Sequence, residues 1–564
     1  MKNPTVKLFA LSMVYLTLTF ASVNELHAGD SPPEPASVVR QLLEEYDNEE
    51  TPGGVIMVMR DNQLLYQQAF GMANLSYNVP FGPATPTNIG STSKQFTAFA
   101  IALLEDQGRL SVDDDIRKYL PELPHLGDTV RLRHLISHTS GYREYLNSLA
   151  MAGQRLNDHI SREEIIPLIQ RQPALQNTPG GMYNYNNTGY ALLAMVVEEV
   201  TGEDFPVWMQ DNVFQPLGME QTLIRRHPGQ IVPGRAQGYG VGEDEIVAVS
   251  DIYASMGPGG IYTTAGDLEK WIGNFYDPVV GSPELMEKMT TPFLLNNGNS
   301  TSYGYGLIIG ELNGLKMIQH GGADAAHRSV FLMFPEVKGA VVTQSNNNTF
   351  PNQIANRVAE AFFGDVMEIE ESDQLSGDEL FVYDLEKFDK LEGRYEMDAA
   401  PGFIMEFTRE EDKLFAQATG QPRFEIFPSS DSTFYLTVVE ASMTFHRNED
   451  GEADAVTLHQ SGNHRLSRIT EPAWEPSAND LKNYTGTYFS KELEAFYRVE
   501  VNDEGKLVLR HRRLEDIALK ADEKDLFAGA FPIMNLEFIR NAEGVVTGFE
   551  ASSGRSAGIL FEKH

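Results

Sequence analysis

The chain has 564 residues, of which 44 are Lys or Arg and 80 are Asp or Glu, giving a formal net charge of −36. Its hydrophobic content of 41% excludes wholesale disorder, its 48 Gly and 29 Pro lack the period of collagen, and its length predicts three to four domains. The negative charge excludes a generally basic surface for nucleic acid or anionic lipid, and the absence of Cys excludes disulfides, cysteine–zinc sites, thiol nucleophiles and a lipoprotein anchor.

The first 28 residues have the pattern of a secretory signal peptide. Lys2 and Lys7 precede an apolar run from Leu8 to Phe20, and the segment ends on the small residue Ala28. The run is shorter than the about 20 residues that span a bilayer, which favours a cleaved signal over the alternative, an uncleaved signal anchor. We therefore expect a mature protein that begins near Gly29, has no stable membrane span and is exported to a bacterial periplasm or to the outside of the cell.

Residues 29–364 are predicted to form one α+β unit. Apolar residues recur at helical spacing between Pro35 and Tyr46 and predict a first helix. Two apolar segments, Gly54–Met59 and Leu64–Phe70, flank four polar residues and predict a β-hairpin. Helical stretches, short strands and Gly-rich turns then alternate up to the end of the unit, and this length indicates two packed lobes.

Two linkers are predicted after this unit. In the acidic linker, residues 365–380, seven of the first 15 positions are acidic and none is basic, and the second linker, residues 471–477, carries two prolines. Residues 381–470 and 478–564 repeat each other at a constant offset of 93 positions. The identical pairs at this offset are Gly393/Gly486, Tyr395/Tyr488, Lys413/Lys506, Leu414/Leu507, Phe434/Phe527, Phe445/Phe538, Arg447/Arg540, Asn448/Asn541 and Gly451/Gly544. Alternating short apolar runs and turn signals predict two duplicated antiparallel β-barrels or sandwiches.

The segment from Gly90 to Phe99 opens a predicted helix, whose apolar stripe begins at Phe96. Ser91 falls at its first turn, where unpaired backbone N–H groups favour developing negative charge. Lys94 follows three residues later on the same face, and a desolvated lysine can deprotonate an adjacent serine. The alternative is an N-cap serine beside an unrelated surface lysine, because this four-residue pattern also arises by chance.

A second polar element, Tyr185-Asn186-Asn187, precedes a further apolar stretch. A tyrosine hydroxyl can relay a proton among a nucleophile, a lysine and a leaving group. The side chain of Asn187 offers both a donor and an acceptor, which suits contacts with a lysine and a substrate amide. The alternative is a polar loop in which Asn caps a helix.

A third element is His320-Gly321-Gly322-Ala323. Its glycines allow a strand edge to lie close to a substrate backbone, and the N–H groups of Ala323 and Ser91 would form an oxyanion hole. His320 would add a polar or cationic group beside the substrate. The alternative is an ordinary turn with a half-buried histidine.

The order of these elements, Ser-x-x-Lys, Tyr-x-Asn and His-x-Gly, resembles the serine β-lactamase and penicillin-binding-protein superfamily, in particular its class C-like branch. Other stretches that resemble signatures of the family are Ile89–Ala98, Arg133–Gly141, Gly259–Leu268 and Tyr303–Leu307. The resemblance covers residues 35–362. It implies the transpeptidase fold, in which helices flank an antiparallel sheet beside an all-helical lobe.

The resemblance also implies roles for individual residues. Ser91 is the acylated nucleophile, Lys94 is its base or proton shuttle, and Tyr185 is the general acid and base. Asn187 positions substrate and lysine, and the strand from His320 to Ala323 faces the substrate. The implied chemistry is acyl transfer in two steps through an acyl-serine that water releases, without a cofactor.

Two histidines, His134 and His138, lie four residues apart and would be candidates for a metal site. No Glu-x-x-His pattern accompanies them, and in the family that the chain resembles this stretch is structural. We therefore expect no metal.

Departures from the family pattern bear on the substrate. His320 stands where class C β-lactamases usually have lysine, which is more similar to the carboxypeptidase and aminopeptidase branches and argues against strong β-lactamase activity. Arg328 would meet a substrate carboxylate and Asp324 a substrate amine, or the two would pair with each other and stabilise a loop. Arg143 and Tyr145 are further candidates for the rim of the cleft.

The function expected from the sequence is that of a secreted serine hydrolase acting on small peptides that contain D-amino acids, of the D-aminopeptidase or D-alanyl-D-alanine carboxypeptidase type. The alternatives are an esterase or weak class C-like β-lactamase, and a protein that binds penicillin or peptidoglycan fragments without turnover. The expected partners are small peptides, esters or β-lactams, and no nucleic acid. The repeated segments resemble the paired β-barrels of D-aminopeptidases and the lipocalin-like domains of related peptidases, in which a barrel loop can reach into the catalytic cleft.

Overall fold

The structure is a computed structural model. It describes residues 34–155, 158, 160–242, 245–251, 256–368, 383–398, 403–410, 413–418, 423–436, 441–448, 451–459, 463–469 and 474–564. The predicted signal peptide, residues 1–28, lies outside the described residues, as do residues 369–380 of the acidic linker and 471–473 of the second linker. The α+β class is confirmed, since an antiparallel sheet flanked by helices precedes two β-barrels.

The first unit, up to residue 368, combines helices with short and long strands. Its helices are α1 (Pro35–Leu42), α2 (Lys94–Asp106), α3 (Leu132–Ile136), α4 (Tyr145–Met151), α5 (Ile165–Gln170), α6 (Asn187–Thr201), α7 (Phe205–Met209), α8 (Ala265–Tyr276), α9 (Pro283–Met289) and α10 (Gln353–Phe363). Its strands are β1 (Gly54–Arg60), β2 (Gln63–Phe70), β3 (Met72–Asn74), β4 (Val79–Pro80), β5 (Thr87–Asn88), β6 (Leu223–Ile224), β7 (Tyr239–Val241), β8 (Ile246–Ala248), β9 (Ile261–Thr263), β10 (Ile308–Leu312), β11 (Leu315–Asp324), β12 (His327–Phe334) and β13 (Gly339–Ser345).

The central sheet has the order β10-β11-β12-β13-β1-β2. Its strands β1 and β2 form the predicted hairpin, in which Asp61 and Asn62 have φ angles of 53° and 58° and make the tight turn that twisted strands favour. The first helix ends at Leu42, before the expected Tyr46.

Both faces of this sheet are covered. On one face, Val58 and Val330 pack with residues of α1 and α10. On the other, Met57 and Phe331 pack with α2 and α8. Because successive side chains of a strand point to opposite faces, burial on both faces explains the continuous apolar run of β1. Helices α3 to α6 form a lobe beside α2, and the candidate site lies between this lobe and strand β11.

The first β-barrel is closed. Its strands, in the order in which they pair, are β14 (Gly393–Met397), β15 (Ile404–Glu410), β16 (Lys413–Ala418), β17 (Phe424–Pro428), β18 (Thr433–Leu436), β19 (Ser442–Arg447), β20 (Ala453–His459) and β21 (Asn463–Ile469). Strand β21 pairs back onto β14, which closes the barrel.

The second β-barrel follows helix α11 (Ala478–Tyr484) and is nearly closed. Its strands are β22 (Gly486–Ser490), β23 (Ala495–Val501), β24 (Leu507–Arg510), β25 (Ile517–Ala518), β26 (Lys520–Glu523), β27 (Leu526–Ala530), β28 (Ile533–Arg540), β29 (Val546–Ser553) and β30 (Ser556–Lys563). The sheet has the order β25-β24-β23-β22-β30-β29-β28-β27-β26, so β25 and β26 are its two edges.

Residues that match at the 93-position offset make matching contacts in the two barrels. The buried hydroxyl of Tyr395 donates to the carbonyl oxygen of Leu391 at 2.7 Å, and that of Tyr488 donates to the carbonyl oxygen of Tyr484 at 2.6 Å. These contacts support the duplication inferred from the sequence. Among the described residues, no helix has the length and apolar character needed to cross a membrane.

Candidate active site

The predicted nucleophile lies in a tight turn between the sheet and helix α2. Residues Gly90–Ser93 form a single 3-10 turn that runs directly into α2, so Ser91 stands at the entry of that helix. Gly90 has a φ of +49°, and a Cβ atom there would lie 2.6 Å from the backbone nitrogen of Ala323. Glycine therefore lets the Ser91 turn lie directly against the end of strand β11, beside the predicted oxyanion-hole residue.

The Lys94 amine is surrounded by three oxygen atoms. Its Nζ lies 3.0 Å from Ser91 Oγ, 2.8 Å from Asn187 Oδ1 and 3.0 Å from the carbonyl oxygen of Pro258. A neutral amine has two N–H groups and one lone pair, so donation to Asn187 and Pro258 leaves the lone pair for the Ser91 hydroxyl. The structure thus brings together Ser91, Lys94 and Asn187 as a hydrogen-bonded group.

The surroundings of Lys94 favour its neutral form. Burial lowers the pKa of Lys94 well below its ordinary value, and the positive charge of Arg555 lowers it further. The carboxylates of Glu144 and Asp324 act in the opposite direction without cancelling the effect of burial. A lysine that loses its proton this readily can accept one from Ser91.

Asn187 is oriented by a residue that lies outside the motifs. Asn187 begins helix α6, and its Nδ2 donates to Glu144 Oε1 at 3.0 Å while its Oδ1 accepts from Lys94. Glu144 is buried before helix α4, where its Oε2 also accepts from the backbone N–H of Asn147 at 2.8 Å. Sequence reasoning missed Glu144, because the two residues that it joins come from distant segments and no local spacing indicates the contact.

Tyr185 lies against both Lys94 and Ser91. Its ring centroid is 4.7 Å from Lys94 Nζ, and its buried hydroxyl has no hydrogen-bond partner within the part of the chain that the structure describes. Burial raises the pKa of Tyr185, and the nearby Ser91 hydroxyl lowers that pKa only in part. The phenol is therefore protonated, as a proton donor to a leaving group must be.

The two histidines considered as a metal pair have other partners. His134 Nδ1 accepts from the backbone N–H of Arg131 at 3.2 Å, and burial is the main cause that lowers its pKa to about 4. His138 Nδ1 accepts from the backbone N–H of Asn186 at 3.0 Å, and its ring centroid is 4.3 Å from that of Tyr185. Within the described residues, no group of three or more His, Asp or Glu side chains is arranged to hold a metal ion.

His320 is a neutral ring in the wall of the site. Its Nε2 lies 3.1 Å from the hydroxyl of Tyr303, and its Nδ1 lies 2.6 Å from the carbonyl oxygen of Gly321. Burial is the main cause that lowers the pKa of His320 to about 3. Of the two forms expected from the sequence, polar or cationic, the structure therefore favours the neutral polar one.

The two glycines of the third motif differ in how closely other atoms approach them. A Cβ atom on Gly322 would collide with the carbonyl oxygen of Ile89, so only glycine lets β11 pack against the strand that leads into the Ser91 turn. A Cβ atom on Gly321 would meet nothing closer than 3.9 Å. The close approach therefore depends on Gly322.

Strand register separates the two charged residues that follow the third motif. Arg328 pairs with Ala323 across β11 and β12, on the sheet face of Val330, which packs towards α1 and α10. Its Nη1 donates to the carbonyl oxygen of His327 at 2.9 Å. Asp324 lies on the opposite face, at the site, and no ion pair joins it to Arg328 among the described residues. The structure therefore brings Asp324 to the site and leaves Arg328 outside it.

A cavity of about 190 Å³ opens beside the nucleophile. Its lining residues are Gly90, Ser91, Leu146, Asn187, Pro258, Gly259, Ala323 and Asp324. This volume is below the roughly 300–1,000 Å³ of pockets for drug-sized ligands. The cavity is therefore suited to a small group.

The second barrel reaches the site through the hairpin between β29 and β30. At the tip of this hairpin, the carbonyl oxygen of Arg555 accepts from Gln176 Nε2 and from Asn184 Nδ2, each at 3.0 Å. The guanidinium carbon of Arg555 lies 4.6 Å from the ring centroid of Tyr185. Sequence reasoning missed Arg555, because it belongs to no motif and the docking of the barrel could not be read from the chain.

The residues expected at the rim of the cleft have other positions. Arg143 is buried and forms an ion pair with Glu492 of the second barrel. Its guanidinium also donates to the carbonyl oxygens of Ala557 and Gly558 in the same barrel. Tyr145 is buried in the core of the first unit. Arg143 therefore holds the second barrel against the first unit.

Two family profiles match the chain. The profile described as Beta-lactamase matches residues 37–362, and one described as a domain of unknown function (DUF3471) matches residues 384–474. Penicillin-binding protein 4* of Bacillus subtilis is 24% identical over 443 residues, which are 75% of this chain and 96% of the relative. The D-aminopeptidase of Gluconobacter oxydans is 27% identical over 448 residues, which are 78% of this chain and 80% of the relative.

Solved structures agree on the fold. The octameric penicillin-binding protein homologue from Pyrococcus abyssi has a TM-score of 0.54 at 23% identity, covering 77% of this chain and 99% of that structure. A D-stereospecific amidohydrolase from Streptomyces has a TM-score of 0.50 at 22% identity, covering 59% of this chain and 99% of that structure. Because the Beta-lactamase profile spans more than half of the chain, the protein belongs to the Beta-lactamase family, and it is a serine hydrolase of the β-lactamase and penicillin-binding-protein superfamily.

Proposed function

We propose that the protein hydrolyses small peptides that contain D-amino acids, as a peptidase of the D-aminopeptidase or D-alanyl-D-alanine carboxypeptidase type. The observation that carries this proposal is the buried Lys94 amine, 3.0 Å from Ser91 Oγ and with a pKa well below its ordinary value. The choice of substrate is supported by relatives named D-aminopeptidase that match about as much of this chain as the penicillin-binding protein does.

The first chemical step is the attack of Ser91 on the substrate, which forms a tetrahedral intermediate. The neutral Lys94 amine takes the hydroxyl proton while Ser91 Oγ attacks the substrate carbonyl carbon, and the carbonyl oxygen becomes an oxyanion. The backbone N–H groups of Ser91 and Ala323 stabilise this oxyanion, and the position of Ser91 at the entry of α2 adds the favourable end of the helix. Asn187 holds the lysine through the 2.8 Å contact to its amine.

Expulsion of the leaving group then completes the acylation of Ser91, and deacylation releases the acyl group. Tyr185 donates its proton to the departing nitrogen as the carbon–nitrogen bond breaks, and it regains a proton from Lys94. A water molecule then attacks the acyl-serine, and the neutral Lys94 amine takes its proton. Lys94 returns this proton to Ser91 Oγ as the free acid leaves. The net reaction consumes one water for each peptide bond cleaved.

We also propose that the protein acts outside the cytoplasm. The support is the pattern of Lys2, Lys7 and the apolar run that ends at Phe20. Expression of the full chain in a bacterium, followed by fractionation and N-terminal sequencing, tests this. A mature N-terminus near Gly29 in the periplasmic or external fraction is expected, and an intact N-terminus in the cytoplasm would overturn it.

The nucleophile is tested by covalent labelling. A fluorophosphonate or a penicillin is expected to label the unchanged protein and to leave Ser91→Ala unlabelled, because the attacking oxygen is gone. Ser93→Ala is the matched control, since Ser93 lies in the same turn and its buried Oγ has no hydrogen-bond partner within the described residues. Equal labelling of the Ser91 variant would remove that residue from the mechanism.

The reaction class is tested with a substrate panel. D-alanine p-nitroanilide, a short-chain ester and a chromogenic cephalosporin are offered to the unchanged protein and to Ser91→Ala. Hydrolysis of the anilide that depends on Ser91 supports the peptidase. Hydrolysis of the ester alone would make the protein an esterase, and a stable acyl adduct without product would make it a penicillin-binding protein without turnover.

A further inference from the structure

Two charged groups of opposite sign lie at the cleft, and neither gives or takes a proton in the proposed acyl transfer. Asp324, the last residue of β11, lines the cavity beside Ser91. Arg555 belongs to the hairpin tip of the second barrel, and its guanidinium carbon lies 4.6 Å from the ring centroid of Tyr185. Within the described part of the chain neither side chain forms an ion pair. Both charges are therefore available to a ligand.

The proposed roles of Ser91 and Tyr185 put the two charges on opposite sides of the bond to be cleaved. In the proposed mechanism the oxyanion contacts Ser91 and Ala323. Asp324 is the next residue on the same strand and lines the cavity beside Ser91, which we assign to the acyl part of the substrate. Tyr185 gives its proton to the leaving nitrogen, so the leaving part lies on its side, where Arg555 is found. The acyl part therefore meets a carboxylate, and the leaving part meets a guanidinium.

Each charged residue is held in place, Asp324 through one carboxylate oxygen and Arg555 through its main chain. Asp324 Oδ2 accepts from Asn88 Nδ2 at 2.8 Å. The hairpin is fixed through the main chain of Arg555, whose carbonyl oxygen accepts from Gln176 and Asn184 at 3.0 Å each. The Arg555 side chain can therefore be changed without removing the contacts that hold the hairpin in the cleft.

The surroundings of Asp324 favour a cationic partner. Burial is the main cause that raises the pKa of Asp324 to about 7, with a contribution from Asp251, and Asn88, the charge of Arg225 and the backbone of Ala325 offset the rise in part. A carboxyl group with such a pKa is only partly ionised at neutral pH, and an ammonium group beside it stabilises the ionised form. Substrate binding at this position therefore converts a costly buried charge into a paired one.

We propose that the cleft selects small peptides with both termini free. Asp324 binds the α-ammonium group of the residue that forms the acyl-enzyme, and Arg555 binds the carboxylate of the residue that leaves. A dipeptide places its two termini on either side of a single peptide bond, as these two residues are placed, so free dipeptides are the preferred substrates. The proposal rests on the proposed function, because Ser91 and Tyr185 define the two sides of the bond.

The test compares D-alanyl-D-alanine with its N-acetyl derivative and with its C-terminal amide. In the unchanged protein, kcat/KM for the free dipeptide is expected to exceed that for each blocked form by at least about tenfold, because each block removes one charged contact. Asp324→Asn retains an oxygen for Asn88 and is expected to bring the ratio of free to N-acetylated substrate close to one. Arg555→Ala is expected to bring the ratio of free dipeptide to amide close to one.

Two further variants separate charge from structure. Arg555→Lys keeps the positive charge and is expected to retain most of the preference for the free carboxylate. Arg513→Ala is the matched control, since Arg513 Nη2 binds Asp158 at 2.6 Å and joins the same barrel to the first unit elsewhere. In Arg513→Ala, the ratios of kcat/KM for the free dipeptide to each blocked form are expected to equal those of the unchanged protein.

The outcomes distinguish this inference from the function on which it rests. Failure of a fluorophosphonate to label Ser91, together with no hydrolysis of any of the three compounds, would overturn the proposed function. Ser91-dependent hydrolysis with all ratios near one in the unchanged protein would overturn the charge pairing alone. A ratio lost equally in Arg555→Ala and Arg513→Ala would make Arg555 a docking residue and would also overturn its role in binding.

Discussion

The two β-barrels come from one repeat, yet they differ in how they relate to the first unit. In the first barrel, buried side chains such as Phe407 and Phe445 form an apolar cluster of their own. In the second, Phe538 and Phe549 belong to a cluster that continues into the core of the first unit. The first barrel is tied to the second by an ion pair between Arg394 and Asp522, at 2.8 Å. The second barrel therefore shares a core with the first unit, and the first barrel is attached to the second.

The difference between the two barrels shows which parts of a repeated domain can acquire a new role. Residues that match at the 93-position offset, such as Tyr395 and Tyr488, make the same contacts and form the frame of each barrel. The residues that reach the first unit do not match at this offset, since Glu492 aligns with Ala399 and Arg555 with Gly462. The matching residues thus keep each barrel folded. Substitutions in the loops of the second barrel create its interface with the first unit and place the charge of Arg555 in the cleft.

The largest effect is expected from breaking the ion pair that holds the second barrel. Arg143 and Glu492 have exposed side-chain fractions of only 5% and 6%. Glu492→Ala leaves the arginine buried and uncompensated and is expected to lower the free energy of unfolding by about 3–5 kcal/mol. Urea unfolding followed by circular dichroism, and residual hydrolysis by the same samples, measure the loss.

A matched change in the first barrel provides the control. Lys387 and Asp431 form an ion pair there with exposed side-chain fractions of 46% and 65%. Asp431→Ala is expected to change the free energy of unfolding by only about 0–1 kcal/mol, because water screens an exposed pair. Equal losses in the two variants would contradict the view that the second barrel alone is docked.

The second effect concerns the pH dependence of acylation. Arg555 is the charge that most lowers the pKa of Lys94, after burial. Activity needs the neutral amine, so it is present above the pKa of Lys94 and lost as the pH falls through it. Arg555→Ala removes a neighbouring positive charge and raises that pKa. The acidic limb of the pH profile is therefore expected to move to higher pH, with a several-fold lower rate near that limb.

An uncharged short-chain ester is the right substrate for this measurement, because it has no carboxylate for Arg555 to bind. The pH profile of kcat/KM is compared with that of Arg513→Ala, which removes a positive charge from the same barrel at its contact with Asp158. An acidic limb that stays in place in Arg555→Ala, or that moves equally in both variants, would show that the hairpin does not act on Lys94 through its charge.

Sequence reasoning reached the residues whose roles are local. Ser91 and Lys94 are one helical turn apart, so their contact follows from helical spacing, and the hairpin of β1 and β2 follows from the alternation of apolar segments and a polar turn. The repeat offset likewise predicted two barrels of one kind. These features need only a short stretch of chain, or a comparison of the chain with itself.

Features that depend on docking were out of reach. Glu144 contacts Asn187 because α4 and α6 pack side by side, and Arg555 contacts Tyr185 because a whole barrel lies against the lobe. The charge expected at Arg328 falls on the far face of the sheet, because one position along a strand reverses the direction of a side chain. Composition and spacing carry no information on such placements.

The smallest change in stability is expected from the matching tyrosines of the two barrels, and it tests whether these residues are still equivalent. Tyr395→Phe and Tyr488→Phe each remove one buried hydrogen bond, and each is expected to lower the free energy of unfolding by about 1 kcal/mol, because the carbonyl oxygens of Leu391 and Tyr484 lose their donors. Thermal and urea unfolding of the two variants measure the losses side by side. Equal losses with unchanged hydrolysis would place the difference between the barrels in the loops that contact the first unit. A much larger loss in Tyr488→Phe would instead mean that docking has made the frame of the second barrel less tolerant of change than that of the first.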